Sequence, residues 1–165
     1  MKRTLFITLS CFLIFTSISF GQMKNKKLGA QEFKGIVTLN AKPAAVWALI
    51  VDGKKFFSLA GWELITSDAK FAKVGDNARI KVWGDAGTIV LTYYKANQEL
   101  RYSWEPDNAS YICQERILLE AKGDQTTLTY INTYSESGPQ SKADIDAQIK
   151  SLNQFLAKIK KSVEG

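Results

Sequence analysis

The sequence predicts an α+β domain: a curved antiparallel sheet closed over one long C-terminal helix. Three observations predict it. A strand-like run from Phe33 to Ala41 leads into a short helix opened by Pro43. A long stretch of alternating strand pattern with turn signals follows. One amphipathic helix, Ser141 to Glu164, then ends the chain. A lone helix after an antiparallel meander has one place to bury its apolar stripe, the hollow of the sheet. A sheet that grips one helix leaves a cavity between the two, and a cavity points to a small apolar ligand.

The elements follow in order. Val37 and Leu39 alternate with Ile36, Thr38 and Asn40, so at least one face of the first strand is buried. Pro43 suits the first turn of a helix, where no backbone donor is needed. Val46, Leu49 and Ile50 recur at helical spacing with Trp47 beside them, and Asp52-Gly53 stops this helix. Lys54 to Leu59 forms a second short helical turn, and Gly61 to Asp68 opens the meander. From Asn77 to Trp83, Ala78, Ile80 and Val82 share one face, and Arg79, Lys81 and Trp83 the other. Gly84-Asp85-Ala86-Gly87 has hairpin-turn chemistry. Thr88 to Lys95 is rich in β-branched and aromatic residues, and Ala96-Asn97-Gln98 turns the chain again. Leu100, Tyr102 and Trp104 line one face of the next strand, which Pro106-Asp107-Asn108 ends. Tyr111 to Ala121 and Thr126 to Ser135 form the last pair around Lys122-Gly123-Asp124-Gln125. The closing helix starts after Gly138-Pro139, with Ser141 as N-cap and Asp144 three residues on. Ile145, Ile149, Leu152, Leu156, Ile159 and Val163 form one stripe, which Phe155 widens.

The first residues have the layout of a secretory signal. Lys2 and Arg3 precede an apolar stretch from Leu5 to Phe20, and Ser19-Phe20-Gly21 offers small residues where a signal peptidase reads. Cleavage is expected after Gly21, which leaves a flexible segment, 22–31, and a single domain, 32–165. The stretch is shorter than the ~20 residues a spanning helix needs, so no stable membrane span is expected after cleavage. An uncleaved anchor and a lipidated Cys11 are the alternatives. The expected location is periplasmic or secreted. Once Cys11 leaves with the signal, Cys113 is the one remaining cysteine, so no internal disulfide forms and stability rests on packing.

The formal charge of +6 is local rather than a stripe: Lys24, Lys26 and Lys27 near the start, and Lys158, Lys160 and Lys161 at the end of the last helix. The second group complements the negative end of a helix dipole. Neither tracks a phosphate backbone with interleaved aromatics, so nucleic acid is not an expected partner. The sequence contains no histidine. That removes the commonest general base, the commonest zinc ligand, and the Ser-His and Cys-His nucleophile arrangements. No metal or other cofactor is expected.

Several of these segments together resemble a known family. Val37-Thr38-Leu39-Asn40-Ala41-Lys42-Pro43-Ala44-Ala45-Val46-Trp47 is similar to the opening of the START-like, or SRPBCC, superfamily, in which a strand ends in an Ala-x-Pro-like corner and a Val-Trp pair starts the first helix. Leu100-Arg101-Tyr102-Ser103-Trp104 resembles that family's central strand. Gly123-Asp124-Gln125-Thr126-Thr127-Leu128-Thr129 resembles its last hairpin, although Asp124 and Gln125 separate the Gly from the Thr. The resemblance spans residues 33–163. It implies a helix-grip fold: about seven antiparallel strands around the C-terminal helix, with two short helices after strand one. It also implies a hydrophobic ligand between sheet and helix; some members of the family are polyketide cyclases or dehydratases, and others bind lipids, hormones or sterols. One branch stimulates a cytosolic heat-shock chaperone, a role that a signal peptide argues against. Kinship of fold does not choose among these.

The candidate ligand contacts are Phe57 and Leu59 at the mouth, Trp62, Tyr93, Tyr102, Trp104 and Tyr130 on strands or their ends, the inward Ile80 and Leu91, and Phe155 on the helix. Tyr and Trp give an apolar wall with a polar tip, which suits an amphipathic ligand. Glu115 shares the parity of Tyr111, Cys113, Ile117 and Leu119. Facing a cavity, it would act as a proton donor or acceptor, or fix a ligand hydroxyl or amine. The more ordinary expectation is that a bulge shifts its parity, or that it pairs with Arg101, Arg116 or a lysine. Three functions remain open. The first is an exported protein binding a small hydrophobic or amphipathic molecule. The second is a cyclase- or dehydratase-like enzyme using Glu115 and one of Tyr93, Tyr102 or Tyr130. The third is a module that binds an envelope protein through its outer face around an exposed Trp83.

Overall fold

The computed structural model describes residues 29–108, 111–136 and 141–165. The signal segment with its cleavage site, most of the expected flexible segment, and the Gly138-Pro139 turn lie outside these residues. Ten elements follow in the order β1 (Gly29–Leu39), α1 (Pro43–Ile50), α2 (Gly53–Ala60), β2 (Glu63–Leu64), β3 (Asn77–Val82), β4 (Asp85–Lys95), β5 (Glu99–Pro106), β6 (Tyr111–Lys122), β7 (Gln125–Glu136) and α3 (Lys142–Glu164). The strands form one curved antiparallel sheet in the order β1-β7-β6-β5-β4-β3-β2. This is the helix-grip architecture, with two short helices after the first strand and one long helix at the end.

Local chemistry sets most boundaries. Pro43 stands in the first turn of α1. The Asp52 side chain accepts from the Lys55 amide and caps α2, so that helix starts at Gly53, one residue before the expected Lys54. Gly61, at φ 79°, ends it in the left-handed conformation that suits glycine. The Ser141 hydroxyl accepts from the Asp144 amide while the Asp144 carboxylate accepts from the Ser141 amide, a complete capping box for α3.

Three expectations need correction. β1 starts at Gly29, so Gly29 to Gln31 join the sheet opposite β7 instead of the flexible segment. The region expected to open the meander, 61–68, holds only the two-residue β2; much of the chain from there to β3 is loop, pinned where Asp76 accepts from the amides of Ala72 and Lys73. The β3–β4 turn is Trp83-Gly84, not the expected Gly84 to Gly87, because Val82 pairs with Asp85. Trp83 and Gly84 both have positive φ, 51° and 101°, as a two-residue hairpin turn demands.

Helix α3 lies along β1. Gly35 permits the close approach: a Cβ there would meet Leu156 Cδ1 at 2.5 Å and Leu152 Cγ at 3.2 Å. Phe155, Leu156 and Ile159 are buried, while Ile149, in the expected stripe, is 45% exposed. The C-terminal half of the helix therefore closes the core and the N-terminal half rides higher. Where it rises, space remains over the sheet.

Candidate functional site

The inner face of the sheet is a lattice of rows. One row runs Phe33–Asn132–Glu115–Tyr102–Leu91 across β1, β7, β6, β5 and β4. The next runs Tyr134–Cys113–Trp104–Ile89. A cavity of about 90 Å³ opens over the β1–β7–β6–β5 part of this lattice. Trp104, Cys113, Glu115 and Tyr130, all buried, line its inner part. Ala60 from α2, Trp62 and Val82 form one side, and Gln148, Ser151, Leu152 and Phe155 of α3 form the roof. Trp83, 69% exposed, stands at the mouth. The volume is below the ~300–1,000 Å³ of a drug-sized pocket, so it fits a short molecule or one end of a longer one.

Glu115 is 3% exposed. The expectation that a bulge or an arginine would explain it fails. Its strand pairs without a break in register, and Arg101 and Arg116 both donate to Glu99 Oε1 at 2.7 Å. Burial alone would raise the Glu99 carboxyl, but the guanidiniums of Arg116 and Arg101 hold it below the usual range. Glu115 is left without a cation. Asn132 Nδ2 lies 3.5 Å from Oε1, and Oε2 has no hydrogen-bond partner. Burial pushes its pKa up to about 7, against the opposing pull of the Tyr130 hydroxyl and the Asn132 amide. Burial and then the Glu115 charge raise the Cys113 thiol to about 12, and push Tyr130 and Tyr102 well above their usual range. Trp104 Nε1 is a second buried polar atom without a partner.

Of the residues singled out from sequence, Trp62, Trp104, Glu115, Tyr130 and Phe155 meet at this cavity. The others stand elsewhere. Phe57 is fully buried among Trp62, Phe71 and Tyr102, and Leu59 is half-buried on the core. Ile80 and Leu91 are core. The Tyr102 hydroxyl donates to the Ile50 carbonyl at 3.2 Å. Tyr93 lies on the outer face, with Arg101 4.8 Å over its ring. A bulge between Leu91 and Tyr93 put it there: Tyr93 pairs with Arg101, and Tyr94 takes the inward place against Trp47. Sequence reasoning missed Asn132 and Phe33, although parity was sufficient to find Asn132, a polar residue among the inward Leu128, Tyr130 and Tyr134. It also missed Gln148 and Ser151, whose faces only the placement of α3 reveals.

Among the described residues, no group of three or more Cys, Asp or Glu side chains could hold a metal. No described helix is long and apolar enough to cross a membrane.

No protein-family profile matches the chain, and no curated protein sequence matches it. Solved structures do. DynU16, a protein of the dynemicin biosynthetic locus, superposes with a TM-score of 0.60 at 17% identity over 79% of this chain. The chain spans 46% of the DynU16 chain. Ara h 8.0201 matches at 0.59 and 15% over 82% of this chain and 98% of its own. The Aha1 protein from Colwellia psychrerythraea, solved as a dimer, matches at 0.59 and 13% over 81% and 96%. These three are SRPBCC-type folds. The chain shares their helix-grip fold. At these identities the likeness speaks for the fold alone, and the cavity must be read from its own residues.

Proposed function

We propose that this SRPBCC protein is exported and binds a small hydrophobic or amphipathic molecule in the cavity between sheet and C-terminal helix. One observation carries the reading: an aromatic-walled cavity lined by Trp104 and by a buried carboxyl that faces no cation, with Glu115 Oε2 and Trp104 Nε1 both unpartnered. Unpaired buried polar atoms cost stability, about 1–3 kcal/mol each. A ligand that pairs them recovers that cost and is oriented by them. Export rests on the Lys2-Arg3 and Leu5–Phe20 pattern and on the Ser19-Phe20-Gly21 site.

A second reading has its own support. A carboxyl with a pKa near 7, beside Tyr130, is placed to move a proton at neutral pH, as a cyclase- or dehydratase-like reaction requires. Tyr93 drops out of that reading because it faces outward, and Tyr102 because its hydroxyl is committed to Ile50. Envelope-protein binding through Trp83 is the third reading, favoured by the exposure of that ring.

The test is native mass spectrometry of the protein purified from its own host's envelope, with organic extraction of what travels with it. A stoichiometric small molecule that is lost on Trp104→Phe supports the binding reading. An empty protein that takes up no apolar probe overturns it. N-terminal sequencing of the same preparation tests export: a chain starting at Gln22 supports it, and one starting at Met1 in the soluble interior overturns it.

A further inference from the structure

The charge inside the cavity points to the charge of its ligand, an inference that rests on the ligand-binding reading above. We infer that the cavity takes an organic amine, with a short apolar body ending in an ammonium group that donates a hydrogen bond to Glu115 Oε2. Glu115 is buried, its Oε2 has no partner, and the arginines nearest along the sheet are held on the outer face by Glu99. No lysine or arginine lines the cavity. A carboxylate ligand would therefore meet a like charge and no counter-ion, whereas an ammonium supplies the missing one. Phe33, Trp62, Trp104, Tyr130 and Phe155 surround the space, and aromatic rings stabilise an organic cation through their negative faces. The chain's net charge of +6 opposes attraction at long range, so selection comes from contact inside the cavity and not from steering. An alcohol donates to the same carboxylate but brings no positive charge, so it lacks the direct ion-pair attraction that an ammonium adds.

In the empty cavity near neutral pH, Glu115 is partly protonated; an arriving ammonium sends that proton to solvent and leaves a carboxylate–ammonium pair. Tyr102 on β5, Cys113 on β6 and Tyr130 on β7 are the titratable groups around it, and burial keeps all three neutral below pH 8. Helices α2 and α3 line the cavity with side chains that do not titrate. Amine affinity should therefore rise between pH 5 and pH 8.

The experiment is calorimetric titration of the full chain at pH 8 with hexylamine, hexanol and hexanoate, three probes that share one tail. Hexylamine should bind about tenfold more tightly than hexanol, and hexanoate should give no binding. Glu115→Gln should abolish the preference for the amine over the alcohol, while hexanol still binds and so shows that the cavity is intact. If the alcohol binds as tightly as the amine, or hexanoate binds best, the amine inference is overturned and the binding reading stands. If none of the three binds, the binding reading fails and the inference with it.

Discussion

At the scale of the residue, Glu115 dominates. A carboxyl raised by burial from 4.5 to about 7 stabilises the fold at low pH, where it is protonated in the native state. That contribution is present below about pH 4.5 and is lost as pH rises through 7, because the unfolded chain ionises more easily. The loss amounts to about 3 kcal/mol at most. Glu115→Gln should abolish this dependence and be the more stable protein at pH 8, as urea denaturation at pH 5 and pH 8 would show. Equal slopes for the two proteins would mean that Glu115 is solvated. Trp83 makes the opposite compromise. A bulky side chain at φ 51° costs about 1–3 kcal/mol of strain, yet the ring stands exposed at the cavity mouth. Trp83→Asn creates an Asn-Gly hairpin turn and should raise the thermal midpoint while weakening ligand uptake. A variant that gains stability without losing uptake would leave Trp83 no role at the mouth. Glu115 was visible from strand parity, since it shares the inward positions with Cys113 and Ile117. Its lack of a partner was not visible, because that depends on which acid captures Arg101 and Arg116 on the other face.

At the scale of the element, the hairpins were legible and their phases only partly so. β3 and β5 alternate as their patterns predict, with Ala78, Ile80 and Val82 buried in one and Leu100, Tyr102 and Trp104 in the other. β4 does not, because the bulge at Thr92 adds a residue and reverses Tyr93 and Tyr94. No turn signal marks that bulge; the Thr92 hydroxyl, which donates to the Arg101 carbonyl at 3.1 Å, stabilises it only once β5 is in place. The seating of α3 against β1 depends on Gly35. Gly35→Val should cost about 1–3 kcal/mol by forcing Leu152 and Leu156 outward, measured by denaturant unfolding. Ser141→Ala removes the side-chain half of the capping box and should cost about 1 kcal/mol in the same assay.

At the scale of the whole molecule, a sheet of seven strands and one long helix share a single core that includes Phe56, Phe71, Ile80, Leu91, Tyr102 and Ile159. No disulfide braces the described residues, and Cys113 is a buried free thiol. Burial raises its pKa to about 12, so Cys113 in the native protein should not react with a thiol reagent at pH 8. Modification should instead follow global unfolding in urea, with a single transition shared with the tryptophan fluorescence. A thiol that reacts before the fluorescence changes would show the cavity opening by itself. The sequence by itself determined the class of fold, the order of its elements, the inward parity of most strands and the capping of the last helix. These follow from periodicity and from local turn and cap chemistry, which act over a few residues. Only the tertiary structure decided where the cavity lies, that it is small, which aromatics fill the core instead of lining it, and that Glu115 stands there without a cation. Those depend on how high α3 rides over β1 and on which strands bulge. Such contacts join residues far apart in the chain, and no local pattern carries them.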